Sequence, residues 1–215
     1  MRAMLAIIAG LIVSNLLQGT VTNLTAGAKT RADAWANALV FLAATVFVFR
    51  VLIDNILYYN DADVVTGRDA YPLRVLLIVL DLLSYGFCNG IVTRLTSGDQ
   101  SVVPHEDLRW AIGLFVGVET LHFIWCSIAL GVVKEEPESD PRKSLLRNWR
   151  SLSGTWAVIW LIVAAVLIGV VGRDRKANVD LATATVLFAL SVASAVHYLA
   201  RLRGHYMGQP RTPSS

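Results

Sequence analysis

Six apolar blocks of roughly 20 residues punctuate the chain, and a block of that length matches the hydrocarbon thickness of a bilayer at about 1.5 Å per helical residue. In lipid every backbone amide must be satisfied internally, which leaves helices or closed barrels. The blocks lack the alternating pattern of barrel strands. The sequence therefore predicts an all-α, polytopic integral membrane helix bundle with about six transmembrane helices in one domain, residues 1–204. The spans are expected at about 3–21, 36–59, 73–95, 108–133, 155–172 and 180–202. Composition agrees: the 215 residues are 55% hydrophobic and only 16% charged, and mean hydropathy is +0.55, too apolar for an ordinary soluble domain.

The first block is the most ambiguous span. Arg2 precedes AMLAIIAGLIV, and Ala26-Gly27-Ala28 resembles a signal-peptidase site, although it lies far beyond the apolar core. Asn23-Leu24-Thr25 is a formal glycosylation triplet of low specificity. Pro72 suits the first turn of the third helix. The longest polar connection, residues 134–154, reads as a cytoplasmic loop with an acidic and then a basic half. Its stretch from Pro141 to Leu152, with Leu145, Leu146 and Trp149, is either an interfacial amphipathic helix or a solvated loop. Residues 205–215 read as a flexible tail. No internal repeat suggests an inverted-repeat transporter.

With the N-terminus inside, eleven of the 19 Lys and Arg fall on the inner side and seven on the outer, leaving Arg50 within a span. The positive-inside rule then places a multi-pass protein in the cell membrane with both termini cytoplasmic. A net charge of +3 fits this topology and contact with anionic lipid, and it does not call for nucleic acid as a partner.

Charges inside the blocks are the functional signal. Arg50 and Asp54 lie four residues apart in the second block, Asp81 in the third, and Glu119 with His122 in the fourth. A charge at the middle of a span costs roughly 2.5–3.5 kcal/mol on insertion scales, so these residues are expected to face protein or water and one another. Arg50, Asp81, Glu119 and His122 fall within roughly 5 Å of mid-span, and Asp54 about 10 Å from it. With His122 neutral, one cation faces three carboxylates; such a buried imbalance calls for a carboxyl that keeps its proton or for a bound cation. The expectation is a proton or cation channel or transporter in which Asp81 and Glu119 bind or relay the ion, Asp54 and His122 assist, and Arg50 sets the field. The alternative is a non-conducting subunit, sensor or scaffold that recruits a protein partner through the cytoplasmic loop, with the cluster as a structural lock.

On the third helix Asp81, Ser84, Tyr85 and Cys88 share a face roughly opposite Gly86 and Gly90. On the fourth, Glu119, His122 and Cys126 are opposite Gly113 and Gly117. Glycines at this spacing let helices approach closely, within one chain or in a homo-oligomer. Cys88 and Cys126 read as buried free thiols. Metal binding stays open: Glu119-x-x-His122 has the spacing of one half of a di-iron site, Cys126 and Cys88 could complete a softer site, and His122 with His197 a haem site. No cofactor is assigned. No phosphate loop, nucleophile elbow or zinc-protease pair is present, so no catalytic residues are assigned either.

Overall fold

A computed structural model describes residues 2–25, 30–61, 71–96, 103–135, 137–170 and 179–207. The described residues form an all-α bundle of six helices: α1 (Arg2–Thr25), α2 (Arg31–Asp61), α3 (Tyr71–Thr96), α4 (His105–Val132), α5 (Pro141–Val170) and α6 (Leu181–Met207). Helices α2 to α6 are each long and apolar enough to cross a membrane, and α1 carries a shorter apolar stretch, Ile7–Gly19. Large apolar side chains on the outside, such as Val79 and Leu83 of α3, Leu161, Ile162 and Val166 of α5, and Val196 and Leu199 of α6, are 44–60% exposed. A surface of that kind suits hydrocarbon rather than water.

Helix starts follow local chemistry. Thr30 caps α2, its hydroxyl oxygen accepting from the Asp33 amide at 3.1 Å while its hydroxyl donates to the Asp33 carboxylate at 2.8 Å. Asp140 caps α5 by accepting from the Arg142 amide at 2.8 Å, with Pro141 in the first helical position where a missing N–H costs nothing. Asp180 accepts from the Thr183 amide at 2.6 Å and caps α6. Pro72 is the second residue of α3.

Helix α4 packs along α3 on one side and α5 on the other, α2 packs along α6, and α1 lies against α3 and α2. The backbones of α2 and α4 scarcely approach each other. Long side chains bridge that gap: Phe47 stacks on Phe115 with ring centroids 3.9 Å apart, and Arg50 reaches Glu119.

The stretch read from sequence as loop or interfacial helix differs in the structure. Residues from Pro141 onward form the first turns of α5 and continue unbroken to Val170. Leu145, Leu146, Trp149 and Leu152 are buried in the bundle, because they fall on the same helical stripe as Trp156 and Trp160. In the connection from α4 to α5, Glu138 and Asp140 pair with basic residues at the start of α5. Arg142 grips Asp140 through two nitrogens, at 2.6 and 2.9 Å. Arg147 reaches Glu138 at 2.8 Å, and buried Lys143 donates to the Lys134 carbonyl at 2.8 Å. The Arg147 hydrogen bond, with help from Lys143, holds the Glu138 carboxyl below its usual range, and Arg142 does the same for Asp140. Ala26-Gly27-Ala28 and residues 208–215 of the expected tail lie outside the described residues, whereas residues 205–207 belong to α6.

Each glycine pair divides between two environments. A Cβ on Gly117 would sit 2.5 Å from the Phe87 ring and one on Gly90 3.1 Å from Leu114, so these two serve the α3–α4 contact. Gly86 and Gly113 face open space. Gly117→Ala is therefore expected to cost about 1–3 kcal/mol by overpacking. Gly86→Ala and Gly113→Ala should be neutral or stabilising by up to about 1 kcal/mol through helix propensity. Unfolding of the three variants in mixed micelles checks the order, and equal losses at all three positions would contradict it.

Candidate functional site: a layered polar centre

The five polar residues expected to form one cluster are divided between two adjoining groups. The first is an ion-pair network across α2, α4, α5 and α6. Arg50 donates to Glu119 Oε1 at 2.7 Å and lies 3.6 Å from Asp54, one helical turn on. Tyr198 donates to Glu119 Oε2 at 2.7 Å, and its oxygen is 3.0 Å from the Ser153 hydroxyl. The guanidinium also lies over the Tyr198 ring, 4.1 Å from its centroid, and 4.9 Å from that of Phe47. Both Glu119 oxygens thus have partners, and Glu119 is fully buried.

The second group borders a cavity of about 10 Å³, lined by Asn55, Asp81, His122, Trp125, Cys126 and Trp149. That is room for about one water. His122 is 4% exposed, and neither ring nitrogen has a hydrogen-bond partner among the described residues. Its ring lies against Trp149, with centroids 5.9 Å apart. Asp81, 5% exposed, stands on this cavity.

The groups form layers along the bundle axis. Nearest the end that carries the α4–α5 turn is the cavity; next comes the layer of Arg50, Glu119, Ser153 and Tyr198; beyond it Phe47, Phe115 and Trp160 pack edge to face and stacked. Past these rings lies a second cavity of about 10 Å³ walled by apolar residues such as Val40, Ile112 and Leu187. Successive turns of α2 and α4 generate this order, since Arg50 follows Phe47 and Glu119 follows Phe115 by about one turn each.

Tyr198 and Ser153 are the site residues that the sequence did not point to. Their signal was faint: Ser191, Ser194 and Tyr198 recur at helical spacing on one face of α6, and all three are buried. Asn55 joins the cavity without any sequence cue, and Trp149, expected on an interfacial helix or loop, lines it too. Cys88 and Cys126 are free and buried, as expected. Among the described residues no three His, Cys, Asp or Glu side chains come close enough together to hold a metal ion. Glu119 faces Arg50 and Tyr198 while His122 faces the cavity, so the Glu-x-x-His spacing does not yield a shared ligand pair. No protein-family model, curated protein or solved structure matches the chain.

Proposed function

We propose that this membrane protein conducts or transports protons or cations through the polar centre of its bundle. The supporting observation is that Arg50 is buried against Asp54 and Glu119, with Asp81 and His122 on a water-sized cavity in the adjoining layer. Ionisable groups this deep in a span are costly, and chains of carboxylates and histidines in that position commonly mark ion paths. Asp81 and Glu119 bind or relay the ion, Asp54 and His122 assist, and Arg50 holds the field. The protein sits in the cell membrane as a multi-pass chain with both termini cytoplasmic, following its flanking Lys and Arg. Gly86 and Gly113, open to the outside, give a second copy a close-approach face for a homo-oligomer.

The second reading is favoured by a different observation. Both Glu119 oxygens are taken, by Arg50 and Tyr198, which is what a lock joining α2, α4 and α6 requires. In that case the protein is a non-conducting subunit, and the α4–α5 turn meets a protein partner.

Ion flux into liposomes containing only the purified protein decides between them, with Asp81→Asn and Glu119→Gln alongside. Under the transport reading, flux exceeds that of empty liposomes and Asp81→Asn lowers it by roughly a hundredfold while the fold survives. No flux above empty liposomes, with both variants merely less stable, favours the lock.

A further inference from the structure

The His122 cavity carries the transport reading one step further, to the identity of the ion. A metal cation of the alkali or alkaline-earth type needs about six or more oxygen ligands, and the cavity wall offers side-chain oxygens from Asn55 and Asp81 alone. Its remaining lining is imidazole, thiol and two indoles. A transition metal would need a converging set of His, Cys and carboxylate groups, which the described residues do not assemble. The space itself, about 10 Å³, holds one water and no hydrated ion. By contrast, a neutral imidazole presents one nitrogen that accepts and one that donates, and both nitrogens of His122 lack a hydrogen-bond partner among the described residues, in a wall that also contains Asp81. The charged and titratable groups around it come from each neighbouring helix: Arg50 and Asp54 from α2, Asp81 from α3, Cys126 from α4 itself, and Arg150 from α5, which lies within electrostatic reach of Cys126.

We infer that the ion is a proton and that His122, through a water in this cavity, is the group that exchanges it with Asp81, an assignment that rests on the transport reading above. The step balances simply. A water-borne proton binds the lone pair of one ring nitrogen, giving an imidazolium. The N–H proton of the other nitrogen then passes through water to the Asp81 carboxylate, and the ring is neutral again with its tautomer exchanged. The cavity lies toward the end carrying the α4–α5 turn, and the packed Phe47–Phe115–Trp160 rings stand on the other side of the charged layer. Proton entry therefore runs from the α4–α5 end.

The test measures proton, potassium and sodium flux in the same liposomes for the native chain, His122→Gln and His122→Asn, with thermal unfolding of each to confirm the fold. Proton flux without metal-ion flux, reduced by roughly a hundredfold in both variants, is expected. Native proton flux that both folded variants retain overturns the role of His122 and leaves the transport reading standing. Potassium or sodium flux overturns the ion assignment alone, and no flux of any ion removes the transport reading and this one with it. Deuterium exchange at the imidazole C2 position of His122 in the native chain needs no variant: exchange within hours to days shows that water reaches the ring, and protection throughout overturns the relay.

Discussion

Glu119→Ala is expected to lower the stability of the bundle by about 3–5 kcal/mol, among the largest losses available in this chain. The cost arises less from the lost contact than from what remains. Arg50 is 5% exposed and would be left with Asp54, 3.6 Å away, while Tyr198 would lose the acceptor it meets at 2.7 Å. Breaking one side of a buried pair strands an uncompensated charge, whereas replacing all the charges by apolar or neutral groups is often neutral or stabilising. Combining Arg50→Met, Asp54→Asn and Glu119→Leu should therefore recover most of the loss. Reversible unfolding in detergent micelles reads both outcomes. A Glu119→Ala chain within about 1 kcal/mol of the native one would mean that water reaches Arg50 and relieves it. Tyr198→Phe is the milder companion, since Glu119 keeps Arg50, and about 1 to 3 kcal/mol is expected for the unsatisfied carboxylate oxygen.

The second large effect is expected at Trp160. Its side chain is completely buried, it meets Phe115 and Phe47 edge to face at centroid distances of 4.9 and 6.0 Å, and it stands 6.3 Å from Trp156. Between membrane helices packing contacts, not exclusion of water, hold the structure together, so a deleted indole is felt mainly as a cavity. Trp160→Ala should cost about 3–5 kcal/mol, and Trp160→Phe much less because a ring still fills the layer. The same unfolding assay measures the pair. If the two variants lost equal stability, the loss would not follow the packing volume and the cavity account would fail. Trp160 also belongs to the aromatic layer next to the charged centre, so under the transport reading Trp160→Ala raises proton leak in the liposomes even where Glu119→Gln and Asp81→Asn lower flux.

Much of this molecule was legible before any coordinates. Apolar blocks of spanning length predicted helices, and five of the six helices are long and apolar enough to cross a membrane. The spacing of Arg50 and Asp54 predicted their contact, and the cost of a charge in lipid predicted that Glu119 and Asp81 would turn inward; all are buried. Other features were hidden for definite reasons. A tyrosine near the end of an apolar helix reads equally well as an interface anchor, so nothing marked Tyr198 as the second partner of Glu119. The basic stretch after Pro141 reads as a loop when charge is weighed, and as the start of α5 when the stripe of Leu145, Trp149 and Leu152 is continued to Trp156. Packing chose the second, because burying that stripe satisfies both halves of one helix.

Sequence by itself determined the solvent, the element type and the presence of ionisable groups at depth, since each is a local property: block length, backbone satisfaction and position along a helix. Only the tertiary structure decided which groups share a layer. It set Glu119 between Arg50 and Tyr198, moved Asp81 to the His122 cavity, and spent Gly90 and Gly117 on the α3–α4 contact while leaving Gly86 and Gly113 open. Those outcomes depend on the rotation of each helix about its axis and on its offset against its neighbours. Both are set by side-chain packing between segments far apart in the chain.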